Sequence, residues 1–134
     1  VPEVVAPDAE LLTRAVHTFM NRGADLSYLD SPGTLTLVAL EGDEVTGWCW
    51  GYQLPRPEGS SMLYLHQLEV AEPHQGQGIG RALLATFMST GKSSGATKMF
   101  LTTGAQNTTA RNLYDSVGGG LATQGSTVNY WFLL

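Results

Sequence analysis

Three glycines stand at alternate positions in "QGQGIG", residues 75–80, between an apolar run that ends at Val70 and a helical pattern that starts at Ile79. Glycine at this density costs backbone entropy and supplies no packing. It does let a ligand reach the main chain. Where such a loop opens a helix, the free N–H groups of the first turn make a cradle for phosphate oxygens. The plainer reading is a tight strand-to-helix turn, and three alternating glycines favour the cradle. Two known phosphate loops do not fit. A dinucleotide fingerprint starting at Gly76 needs glycine where Arg81 stands, and belongs after the first strand of a βαβ unit. A P-loop ending in Gly91-Lys92-Ser93 needs glycine where Thr86 stands, and this segment closes a helix rather than opening one.

Charge is divided along the chain. Residues 1–72 hold eleven acidic and three basic residues, a net of −8; residues 73–134 hold Asp115 against four basic residues, a net of +3. An anionic ligand suits the second half and a cationic one the first. The whole chain is acidic, with a net charge of −5 and no basic cluster, which argues against nucleic-acid binding. The one cysteine, Cys49, lies between Trp48 and Trp50 and reads as a packing residue. No stretch has the length and apolarity of a membrane span, and the first residues lack a secretory pattern, so the expected location is cytoplasmic.

The elements that must position the loop follow from periodicity. A short strand is expected at Val4–Ala6. A helix follows, capped by Asp8, with Leu11, Leu12, Ala15, Val16, Phe19 and Met20 at helical spacing. Asp25–Asp30 reads as a second short helix. Residues 34–40 and 45–54 form a hairpin around "EGDE", and residues 62–70 form the strongest strand. A helix at 79–90, a strand at 98–103, a helix at 109–117 and a last strand at 127–134 complete one domain over residues 1–134. This order predicts an α/β fold with a mixed sheet, antiparallel early and parallel between the strands at 62–70 and 98–103.

The glycine segment resembles the Q/R-x-x-G-x-G/A signature of the GNAT superfamily of N-acetyltransferases. "NTTARNLYDSVG", residues 107–118, resembles the same family's N-x-x-A-x-x-L-Y-x-x-x-G segment. The resemblance implies a mostly antiparallel sheet flanked by helices, whose parallel fourth and fifth strands splay to admit acetyl-coenzyme A. It implies cofactor contacts at Gln75, Gly76, Gln77, Gly78, Ile79, Gly80 and Arg81. Further contacts are implied from the main chain at Leu68 and Val70, and at Asn107 and Ala110. Direct attack by an amine needs a base, for which His66 and Glu69 both stand on the 62–70 strand, and an acid for the departing thiolate, implied at Tyr114.

"YLDSPGTLTLVAL", then "YQLPRPE", then "LYLHQLEV…GQGIGRALL", which cover most of residues 28–90, resemble more narrowly the type I aminoglycoside 3-N-acetyltransferases, and this implies a cationic antibiotic as the small-molecule amine substrate and a role in resistance. Asp25, Asp30, Glu58 and Glu69 are then expected to line its groove. Other amines (a polyamine, an arylalkylamine, a protein N-terminus) and a non-catalytic acetyl-coenzyme A sensor are the alternatives. Two positions depart from the pattern: Gly76 replaces a usually basic residue, and Gln67 falls where an acid is expected in the aminoglycoside group. The family's habit of pairing adds a homodimer as an expected assembly, with "YWFLL" at its interface or in a core strand.

Overall fold

The computed structural model describes residues 2–122 and 125–134. The chain divides into two compact units, one ending at Thr102 and the other spanning Thr103–Leu134.

The first unit is built on a five-stranded sheet in sequential order. Its strands are β1 (Glu3–Val5), β2 (Thr34–Glu41), β3 (Glu44–Pro55), β4 (Ser61–Val70) and β5 (Ala96–Phe100). The first four pair antiparallel, and β4 pairs parallel with β5. The parallel pair needs a crossover, which α2 (Ile79–Ser93) supplies.

Helix α1 (Ala9–Met20) starts where Asp8 accepts the Leu11 N–H at 2.8 Å and stops at Asn21, which takes a left-handed conformation. It lies on one face of the sheet. There Leu11 and Ala15 join Val38 and Trp48 in the core, and Phe19 stacks on Trp48 at 5.5 Å. Helix α2 covers the other face. Leu83, Leu84 and Phe87 are fully buried there, and each such side chain contributes about 1.5–3 kcal/mol. Bare Gly91 lets α2 pass close over Leu63. Cys49 is buried on this side, its thiol 3.9 Å from the Leu83 carbonyl, as expected of a packing residue.

Several boundaries differ from the sequence reading. The 25–30 segment is a 3-10 turn, Leu26–Asp30, capped by Asp25. Helix α2 runs on to Ser93. The β5 strand occupies 96–100 rather than 98–103. The second unit contains α3 (Thr108–Ser116), but no strand forms over 127–134. A strand exists only through a hydrogen-bonded ladder, and these residues form none, so alternating apolar residues alone do not make one. Tyr130, Trp131 and Phe132 are exposed.

Candidate functional site

The ladder between β4 and β5 runs only from Ser61↔Ala96 to Tyr64↔Phe100. Beyond Tyr64, β4 continues to Val70 with β3 on one side and no β5 partner on the other. The splay expected of the fourth and fifth strands is therefore present. Which main-chain groups face the opening follows from alternation. The Ala71 N–H donates to Thr46 on β3 at 2.8 Å, so the groups of Val70 and Leu68 point the other way, toward the open edge. The Val70 carbonyl on that edge accepts the Gln75 side chain at 3.0 Å, which ties the glycine loop to the end of β4.

The loop itself turns through Gly76 (φ +79°) and Gly78 (φ +84°), conformations that L side chains rarely adopt. Gly78 caps α2 without a side-chain hydrogen bond, so the N-cap residue itself brings no side-chain oxygen to the helix's first turn. The loop between Gln75 and Gly78 is exposed, while Ile79 is buried against the sheet. His74, just before the loop, lies between two carboxylates of the β2–β3 hairpin, 3.4 Å from Glu41 and 3.2 Å from Glu44. A helix end opened by glycines, next to an unpaired strand edge, fits a ligand with a pyrophosphate at one end and amides along its arm.

A bulge sets the face of β4. Gly51 pairs with Leu65 and Trp50 with Gln67, so His66 is the extra residue. Simple alternation would place Gln67 and Glu69 opposite Tyr64 and His66. The bulge brings all four to one face and leaves Leu63, Leu65, Leu68 and Val70 toward α2. Gly51 permits it, because a Cβ there would run into the Tyr64 carbonyl. On the shared face His66 is exposed and stacks on Trp50 at 4.5 Å, within a row of rings that includes Tyr52 and Tyr64. The Trp50 indole donates to Gln67 at 3.1 Å, and the Gln67 amide in turn donates to Glu69. Burial pushes the Glu69 pKa up, and the Trp48 and Gln67 donors act in the opposite sense. Trp48 is the register partner of Glu69, and its buried indole N–H makes no hydrogen bond of normal geometry.

A cavity of about 380 Å³ lies beside this face, under α1. Its floor is aromatic: Trp48, Trp50 and Tyr52 from β3, with Tyr28 from the 3-10 turn. Leu12, Val16 and Met20 of α1 form a second wall. Of the four carboxylates expected to line a groove, Asp25 lines this cavity and Glu69 stands on the neighbouring strand. Asp30 ends the 3-10 turn in an exposed position. Glu58 lies in the β3–β4 loop, bonded to Ser60 and paired with Arg56 at 3.5 Å; neither is among the lining residues. The spacing of the aromatic residues Trp48, Trp50 and Tyr52, all on one face of β3, is the signal in the sequence for a common wall.

In the second unit, Asn107 caps α3, its amide oxygen accepting from Ala110 N–H at 3.1 Å. Tyr114 is half-buried on the same helix. Among the described residues no cluster of His, Cys, Asp and Glu is arranged to hold a metal ion, and no helix is long and apolar enough to cross a membrane.

The chain is similar to known acetyltransferases. Over 115 residues, 84% of its length, it is 33% identical to N-acetyltransferase 8 of Rattus norvegicus, covering 50% of that protein. Over 113 residues it is 30% identical to an uncharacterized N-acetyltransferase of Bacillus subtilis, covering 83% of this chain and 69% of the relative. The chain thus spans about half the length of the rat relative. Among solved structures, an aminoglycoside acetyltransferase from an uncultured soil metagenomic sample superposes with a TM-score of 0.80 at 20% identity, covering all of this chain and 95% of the other. A second soil aminoglycoside acetyltransferase gives 0.70 at 25% identity, covering 90% and 86%. The model of the acetyltransferase (GNAT) family matches residues 9–118, from α1 through α3, and the chain belongs to that family.

Proposed function

We propose that this chain transfers the acetyl group of acetyl-coenzyme A to the amine of a small molecule, by direct attack. The observation that carries the reading is the open edge of β4 beyond Tyr64, beside the glycine-opened start of α2, whose N-cap residue carries no side chain. In this reading the Gln75–Arg81 loop takes the pyrophosphate and the Leu68 and Val70 main chain takes the pantetheine arm. Both units act as parts of one acetyltransferase domain, and the family match runs across both.

The amine nitrogen bonds to the thioester carbonyl carbon, the C–S bond breaks, and the amine gives up a proton. Glu69 is the base, directly or through one water. It is half-buried, held by Gln67, and its raised pKa makes it a better proton acceptor than a solvated carboxylate. His66 is the less favoured base, because its ring is committed to stacking on Trp50. Tyr114 protonates the departing coenzyme A thiolate. An aminoglycoside acceptor is the second reading. It is supported by the likeness to the soil acetyltransferase at 25% identity and by the acidic first half of the chain.

The test is coenzyme A release from acetyl-coenzyme A across a panel of amines, followed by chromatography so that Cys49 does not interfere. Release that depends on both the amine and Glu69 supports the proposal. A chain that fails to bind acetyl-coenzyme A in calorimetry overturns it.

A further inference from the structure

We propose that the cavity under α1 receives the apolar body of a compact monoamine, an aryl-alkyl or branched-alkyl primary amine, and so selects against polyhydroxylated polycations. This rests on the function proposed above and names its acceptor class.

The cavity's volume, about 380 Å³, lies at the small end of ligand pockets, which span roughly 300–1,000 Å³. A body the size of one ring with a short alkyl arm suits it. Its walls are Trp48, Trp50 and Tyr52 and the side chains of Leu12, Val16 and Met20. Most polar groups on the lining are already occupied. The Tyr28 hydroxyl and Thr36 share a hydrogen bond of 2.7 Å. Asp25 accepts from the Ser27 N–H and hydroxyl on one of its two oxygens, Oδ1, at 3.0 and 2.7 Å. The Trp50 N–H is given to Gln67. A ligand rich in hydroxyls would have to desolvate them against carbon with few partners in return, which is unfavourable. Exposed Arg22 and Asp25 both stand on the lining with opposite charges, so the pair offers no net attraction to a second cationic group and tolerates a neutral tail.

The amine end is placed by the same walls. Trp48 sits opposite Glu69 in the ladder, and Trp50 is joined to Glu69 through Gln67. A body resting on these two indoles sets its amino group toward the proposed base, with the ring faces favouring the ammonium form on arrival. The aromatic floor and the carboxylate therefore read one molecule: apolar at one end, with a single amine at the other.

The experiment has two readouts. First, Trp131→Phe removes the one tryptophan outside the cavity, so 295 nm fluorescence reports Trp48 and Trp50 alone. This chain is titrated with 2-phenylethylamine, 3-methylbutylamine, spermidine and kanamycin. Second, kcat/KM is measured for the same four amines at saturating acetyl-coenzyme A, with and without Val16→Phe, which fills the cavity from α1. The expected result is saturable quenching by the first two amines and a kcat/KM at least tenfold above that for spermidine and kanamycin. Val16→Phe should raise the KM of those two amines at least tenfold and leave acetyl-coenzyme A binding by calorimetry unchanged, which also checks that it folds. Preference for kanamycin or spermidine overturns the inference while sparing the proposed function. So does a Val16→Phe chain that binds acetyl-coenzyme A and turns over the apolar amines normally. Absence of acetyl-coenzyme A binding, with apolar amines still quenching the tryptophans, overturns the proposed function and leaves the cavity's ligand class standing.

Discussion

Replacing Gly51 with alanine tests the geometry that puts Glu69 and Gln67 on one face. The new Cβ would overlap the Tyr64 carbonyl oxygen and sit 3.1 Å from the His66 nitrogen. Both obstacles are main chain, so no side-chain rotation relieves them. The strands must part where the bulge lies, loosening the two ladder hydrogen bonds that flank it, each of net value about 1 kcal/mol. Overpacking adds about 1–3 kcal/mol. The sum, about 3–5 kcal/mol, is a large share of the ~5–15 kcal/mol that holds a domain together. In urea, with a slope of about 2 kcal/mol/M, the midpoint should fall by roughly 1.5–2.5 M. Gly23→Ala is the control. No heavy atom lies within 4 Å of its added Cβ and its φ is not positive, so its effect should stay within about 0.5 kcal/mol. If the strand instead slips to expel the bulge, one residue of slip turns Glu69 to the α2 side and coenzyme A release falls even where the chain still folds. A Gly51→Ala chain with the parent's midpoint and full activity would refute the bulge and the shared face built on it.

Glu69→Gln should lower kcat by about 10²–10⁴, the usual contribution of a general base. Its effect on stability has the opposite sign. Because burial raises the carboxyl pKa in the folded chain, the ionised form opposes folding above that pKa, and the opposition fades as pH falls through it toward the ordinary glutamate range. The variant should therefore melt no lower than the parent at pH 7, with any advantage lost in acid; a clear loss at neutral pH would show that the charge is stabilising. Gly78→Ala imposes φ +84° on a residue with a Cβ, a strain of about 1–2 kcal/mol. It should raise the KM for acetyl-coenzyme A about tenfold with little change in kcat, and an unchanged KM would remove this loop from the binding site. Burial pushes the Cys49 thiol up to about 12, so at pH 8 the thiolate is on the order of one molecule in ten thousand. Iodoacetamide should label the native chain far more slowly than the urea-unfolded one, as read by mass spectrometry; equal rates would mean that the thiol is not enclosed.

What the sequence discloses here and what it hides divide along a physical line. The Asp8 cap, the hairpin and the glycine turn into α2 are local. Each depends on residues within one turn or one loop, and the chain carries their signals side by side. The face of Glu69 is not local. It is set by Gly51, distant in sequence and adjacent across the ladder, so period-two alternation along β4 alone assigns Gln67 and Glu69 to the wrong side. The cavity is less local still, since its walls come from α1, the 22–28 segment and β3. The acidic residues show the same division from the other side. Their abundance in residues 1–72 suggested a groove lined by carboxylates, yet Glu58 is held by Ser60 and Arg56 within its own loop, and of the four expected there Asp25 alone lines the cavity, with one of its oxygens held by Ser27. Charge count along a chain measures a field, and a field steers ligands over distances comparable to a Debye length of about 8–10 Å. Recognition at contact depends instead on which polar groups the fold leaves unpaired. Here, among the described residues, it leaves an aromatic wall, a half-buried carboxylate at Glu69 and the Trp48 indole N–H without a partner, and the proposed amine with an apolar body rests on that set.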